Sequence, residues 1–161
     1  MRGSVPGTPR RGRARRLAAA SLLAPCLLGA SGSGARVHAA HTPYVVVAHD
    51  SAPLALGRDG VARLFLKKAA HWPDGTPASP VDLPPAAPVR AAFSREVLGR
   101  SVASVRAYWQ AELFQGRDTP PPEKPDELAV LAHVRATRGA VGYVARGTEL
   151  PPGVHALVVT P

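Results

Sequence analysis

The stretch ASPVDLPPAAPVRAAFSREVLG, running from Ala78 to Gly99, contains the change of periodicity that decides the fold. Its first part, Ala78 to Leu83, reads as a short strand bounded by Pro80 and Pro84-Pro85, because proline donates nothing to a ladder and restricts the residue before it. The second part turns helical. Pro88 suits a first helical turn, where a missing amide proton is no loss. Val89, Phe93 and Val97 then recur at helical spacing, and Gly99 suits the C-terminal cap. A strand delivered through a proline-rich loop into a helix is the repeating step of an α/β layer.

Working outward, Tyr44 to Ala48 is a continuous β-branched run and predicts a strand buried on both faces, ended by His49-Asp50-Ser51-Ala52-Pro53. Val61, Leu64 and Phe65 predict a helix over 59–68, with Asp59 at its positive end and Lys67-Lys68 at its negative end. Trp72-Pro73-Asp74-Gly75 is a turn by composition. After Gly99, Ser101 caps a second helix with the face Val102, Val105, Trp109 and Leu113, stopped by Gly116. The proline-rich segment Arg117 to Pro125 predicts an extended loop. Pro125 then opens a third helix, with Asp126-Glu127 favourably placed at its start and Val130, Leu131 and Val134 facing inward. Ala140–Val144 and Val154–Val159 then predict the closing strands. The pattern is strand, helix, strand, three helices, two strands: an α/β fold whose small mixed sheet is covered by helices. Trp72, Phe93, Tyr108, Trp109, Phe114 and Tyr143 are expected as the main mass of its core.

The net charge of +9 belongs to one end of the chain. Seven of the 20 basic residues are arginines within 1–40, which holds no acidic residue; the remaining 13 face 11 acidic residues, leaving +2. A polyphosphate partner needs a basic patch on the folded part, so nucleic acid is excluded. Residues 1–40 have the parts of an export signal. Arg10, Arg11, Arg13, Arg15 and Arg16 form a positive region, Leu17 to Leu28 an apolar one, and Val37-His38-Ala39 a small-residue cleavage site. Cleavage near Ala39 or Ala40 would release 41–161 as a periplasmic or secreted domain with no membrane-spanning segment. Arg15-Arg16 leaves ordinary and twin-arginine export both open. Leu23-Ala24-Pro25-Cys26 leaves a lipid anchor open, although Pro25 departs from that pattern. Without Cys26 the mature chain has no cysteine, hence neither disulfide nor thiol nucleophile.

Chemistry-bearing motifs are few. His41, His49, His71, His133 and His155 are scattered without metal-ligand spacing, and no cofactor motif is present. Ser51, Ser79, Ser94, Ser101 and Ser104 lack a nucleophile elbow, so no catalytic residues are assigned and the chain reads as non-enzymatic. Three residues are singled out for ligand binding. Arg90 lies in the first turns of a helix, where backbone amides and a guanidinium favour an oxyanion; the alternative is an ion pair with an acidic neighbour such as Asp82. Ser51 and Asp82 end two successive predicted strands, where α/β folds place ligands.

Read together, Phe65-Leu66, Trp72-Pro73-Asp74-Gly75, Pro80-Val81-Asp82-Leu83-Pro84, Arg90 to Phe93, Val97-Leu98-Gly99, Tyr108-Trp109, Phe114-Gln115-Gly116 and Gly139 to Val144 resemble, in order and spacing, one family. These are the short single-domain proteins similar to periplasmic phosphate-binding proteins of ABC transporters. The resemblance implies a single lobe of a type II periplasmic binding protein-like fold. It also implies phosphate or another small anion as ligand, a transport permease as partner, and no cofactor. In the full-length receptors the strand-to-helix loop supplies arginine, aspartate, serine, glycine and threonine ahead of a phenylalanine. Here Phe93 matches, but Leu83 to Val89 holds none of the hydroxyls or carboxylates. That departure opens a second reading, a non-transport interaction module that docks onto an envelope protein.

Overall fold

Runs of valine and alanine tolerate burial on both faces and therefore take the centre of a sheet. In the computed structural model, which describes residues 42–161, strand β1 (Tyr44–His49) is that centre. It runs antiparallel to β4 (Ala140–Ala145) on one side and to β5 (Val154–Ala156) on the other. The short β3 (Ser79–Pro80) joins β4 in parallel, giving the order β3-β4-β1-β5. The sheet is mixed and helices cover it, as the α/β pattern predicts. The proposed leader, its cleavage site and Cys26 lie outside the described residues.

Helices lie against both faces, and two adjacent residues of β4 show why. Gly142 points towards α4 (Glu127–Ala136), so closely that a Cβ there would stand 2.6 Å from Val130 Cγ1. Tyr143, pointing the opposite way, stacks on Phe93 of α2 (Pro88–Glu96) with ring centroids 4.0 Å apart. Phe65 of α1 (Arg58–Phe65) and Tyr44 of β1 pack on Phe93 from other sides, at 4.7 and 5.6 Å. The strand's period of two thus divides the core into an aliphatic layer under α4 and an aromatic layer under α1 and α2.

Local expectations meet the structure unevenly. Ser101 caps α3 (Val102–Phe114) by accepting the Ser104 amide, and Asp126 caps α4 by accepting that of Ala129. The strand expected over 78–83 is shorter. Pro80 and Pro84 limit its ladder to Ser79–Pro80, after which Val81 donates its amide to the Val141 carbonyl and Asp82 makes an isolated bridge with Glu123. The closing strand is divided in two. At Leu157, whose amide bonds the Val46 carbonyl, the chain leaves the main sheet; β6 (Val158–Thr160) then pairs in parallel with β2 (Ala55–Gly57). β2 has no counterpart in the sequence pattern. Leu113 and Phe114 correct the predicted core: both lie exposed in the last turn of α3, where helical spacing and aromatic character alone do not supply a packing partner.

Candidate functional site

Arg90 and Asp82 are brought together. From the third position of α2 the guanidinium reaches back to the loop after β3, where Nη1 lies 2.7 Å from Asp82 Oδ1 and donates to the Leu83 carbonyl. Both side chains are only 6% exposed. The same carboxylate oxygen accepts the Leu83 amide at 2.9 Å and the Tyr143 hydroxyl. Glu123 lies 3.6 Å from Nη1, with its own side chain half exposed. Arg90 thus has its charge balanced within the lobe, mainly by a buried carboxylate. All the acceptors gather on Nη1, and the buried Nε has no partner among the described residues.

The proline-rich loop holds this arrangement in place. Asp82 donates its amide to the Pro122 carbonyl at 3.0 Å and accepts the Lys124 amide on its own carbonyl at 2.8 Å. The loop is thereby laced to the strand end like a further short strand. Lys67 anchors its beginning by donating to Asp118 and Thr119.

Burial pushes the Asp82 carboxyl above the ordinary carboxylate value. The Arg90 guanidinium opposes that rise most strongly, followed by the Tyr143 hydroxyl and the Leu83 amide, while Glu123 adds to it. The Tyr143 phenol is raised too, chiefly by burial and then by the charge of Asp82, which keeps it protonated and donating. His133, on α4, is held below the usual imidazole value by burial, with Lys124 contributing.

A cavity of about 270 Å³ opens beside the pair, between α2, α3 and the 117–125 loop. Asp82 and Arg90 line it together with Glu123, Arg106 and an apolar wall that includes Val102 and Trp109. A larger space of about 330 Å³ lies beside Tyr44, Glu96 and Arg146. Arg146 there donates to the carbonyl and hydroxyl of Thr42.

Ser51 stands apart from Asp82 and Arg90. Its amide and hydroxyl both meet His49 Nδ1, at 3.0 and 2.9 Å, and Oγ accepts the Gly139 amide at 3.2 Å. It ties the end of β1 to the turn before β4 and does not line the cavity. Among the described residues no group of histidine, cysteine and carboxylate side chains is placed to hold a metal ion, and no helix is long and apolar enough to cross a membrane.

Tyr143, Glu123 and Arg106 escaped the sequence reading of the site. Tyr143 sits within a strand motif, where an aromatic reads as core, and its hydroxyl finds Asp82 only through the register of β3 on β4. The one available signal for Glu123 was its position in a loop too rich in proline to be helical.

No family model matches the chain, and no curated protein is similar to it in sequence. Solved structures do match. A phosphate ABC transporter substrate-binding protein from Clostridium perfringens, with bound phosphate, superposes with a TM-score of 0.54 at 15% identity, over 73% of this chain and 44% of that one. An ABC-type phosphate transport receptor from Vibrio cholerae gives 0.53 at 16% identity, over 71% of this chain and 45% of the receptor. The chain therefore spans less than half the length of the receptors it matches. Its fold is that of about one lobe of a phosphate-binding protein, as the family resemblance implied.

Proposed function

We propose that the chain is an exported, non-enzymatic solute-binding-protein-like lobe that docks onto an envelope partner, such as a transport permease, rather than capturing free phosphate. The arginine-rich leader supports export to the periplasm or beyond. The observation that carries the docking reading is the Asp82 carboxylate on Arg90. A free oxyanion at this guanidinium has to displace a buried ion pair that is also bonded by Tyr143 and the Leu83 amide. The loop ahead of Phe93 offers no side-chain donors to offset that loss, and each charge-assisted hydrogen bond forgone is worth about 1.5–3 kcal/mol.

Oxyanion binding remains the second reading because the Arg90 Nε is buried without a partner and Arg106 lines the same cavity. Calorimetric titration of the processed protein with phosphate separates the two. The docking reading expects no saturable heat up to about 1 mM, the weak end of useful affinity. A saturable isotherm that disappears in Arg106→Gln and Arg90→Ala overturns it in favour of a phosphate receptor.

A further inference from the structure

The cavity beside Asp82 and Arg90 carries charges of both signs that do not neutralise each other. Arg106, exposed on α3, has no carboxylate within 4.0 Å among the described residues. Glu123, on the facing loop, has only the 3.6 Å approach to Arg90, whose guanidinium is already committed to Asp82. Arg106 and Glu123 therefore line one cavity as separate, solvent-facing charges of opposite sign. Between them the wall is apolar, formed by Val102 and Trp109 of α3 with Pro85, Pro120 and Pro121. The floor is a neutral pair whose Arg90 Nε still needs an acceptor.

From this arrangement we infer that the cavity is a binding site for a small zwitterion of the α-amino-acid kind. The ligand's carboxylate faces Arg106, its ammonium group faces Glu123, and its side chain lies on Trp109 and Val102. Charge balance selects the class. A net anion such as phosphate gains from Arg106 but meets Asp82 and Glu123; a net cation meets Arg90 and Arg106. A ligand carrying both charges matches both rims. Size agrees, since about 270 Å³ falls just under the range of about 300–1,000 Å³ that holds drug-sized molecules.

L-Leucine is the probe, with N-acetyl-L-leucine and L-leucinamide as controls that remove one charge each. Calorimetry on the processed protein should give a saturable isotherm for leucine below about 1 mM and at least tenfold weaker binding of either control. Glu123→Gln and Arg106→Gln change exposed side chains and leave the buried pair in place, so both variants should fold; each should weaken leucine at least tenfold. Absence of saturable heat with leucine overturns the inference. Binding of N-acetyl-L-leucine as tight as that of leucine overturns it too, by showing that the ammonium group is not recognised. The outcome is separate from that of the docking reading, which stands or falls on phosphate.

Discussion

Removing one partner of the Asp82–Arg90 pair should cost far more than removing both charges. Each side chain is 6% exposed, so the survivor of a single substitution is a charge cut off from water. In Arg90→Met the aliphatic stem keeps its volume while Asp82 loses its guanidinium and retains only Tyr143 and the Leu83 amide. In Asp82→Asn the guanidinium is left with the Leu83 carbonyl and a half-exposed Glu123 at 3.6 Å. Breaking a buried pair in this way costs about 3–5 kcal/mol, whereas replacing both partners by neutral groups of similar size is often close to neutral. For a domain whose whole stability is on the order of 5–15 kcal/mol, either single change is severe. The assay is urea unfolding of wild type, both single variants and the double variant, followed by circular dichroism. With a slope of about 1.5 kcal/mol per molar urea, 3–5 kcal/mol moves the midpoint by about 2–3 M. The double variant should recover at least half of the summed loss. Additivity within about 0.5 kcal/mol is the behaviour of independent sites and would refute the claim that these two charges stabilise each other.

Two further substitutions test the frame around the pair. Gly139 has φ +74, and a Cβ there would stand 2.1 Å from the Pro77 carbonyl oxygen; its own carbonyl accepts both Trp72 Nε1 and the Ser79 amide. Gly139→Ala should therefore lower stability by more than about 2 kcal/mol with an unchanged urea slope, and a loss under about 0.5 kcal/mol would sink that account. The second test is of pH. Because the fold raises the Asp82 pKa, the native state holds that proton to higher pH than the unfolded chain does. Its contribution is thus fully present below the ordinary carboxylate value and is lost as pH rises through the raised one. Stability of wild type relative to the doubly substituted Asp82→Asn/Arg90→Met protein should decline over that window in urea melts. A rise with pH would show that the guanidinium outweighs burial.

How much of this was legible in the sequence depends on the range of the interactions. The strand around Val46, the cap at Ser101, the helix from Pro88 and the existence of the third helix follow from contacts within a few residues, and all appear, although that helix begins at Glu127, two residues after the expected Pro125. β2 does not, since Ala55-Leu56-Gly57 becomes a strand only by pairing with Val158 to Thr160, more than a hundred residues away. Leu113 fits the helical stripe and Phe114 reads as core by its aromatic ring; their exposure depends on what packs against the last turn of α3, which periodicity does not report. The site shows the same division. The sequence placed Asp82 at the end of a strand and Arg90 at a helix start, and named their ion pair as one of two outcomes. Tyr143 and Glu123 reach that pair across separations no local pattern spans.

The proximity of Asp82 also decides what an outside anion must overcome. A free phosphate surrenders translational and rotational freedom to bind, a cost on the order of 4–15 kcal/mol. Asp82 is held 2.7 Å from the guanidinium by the fold itself, with its backbone laced to Pro122 and Lys124, so it surrenders nothing further. An internal carboxylate so positioned outcompetes a solute anion unless the latter brings several additional donors, and Leu83 to Val89 provides none from side chains. Groups at the rim are under no such constraint. Arg106 has no carboxylate within 4.0 Å among the described residues and Glu123 has only the 3.6 Å approach to Arg90, so a ligand or partner surface can engage them without dismantling the Asp82–Arg90 pair. Recognition by this lobe is therefore expected at the rim charges and the Trp109 wall, with the buried pair acting as their scaffold.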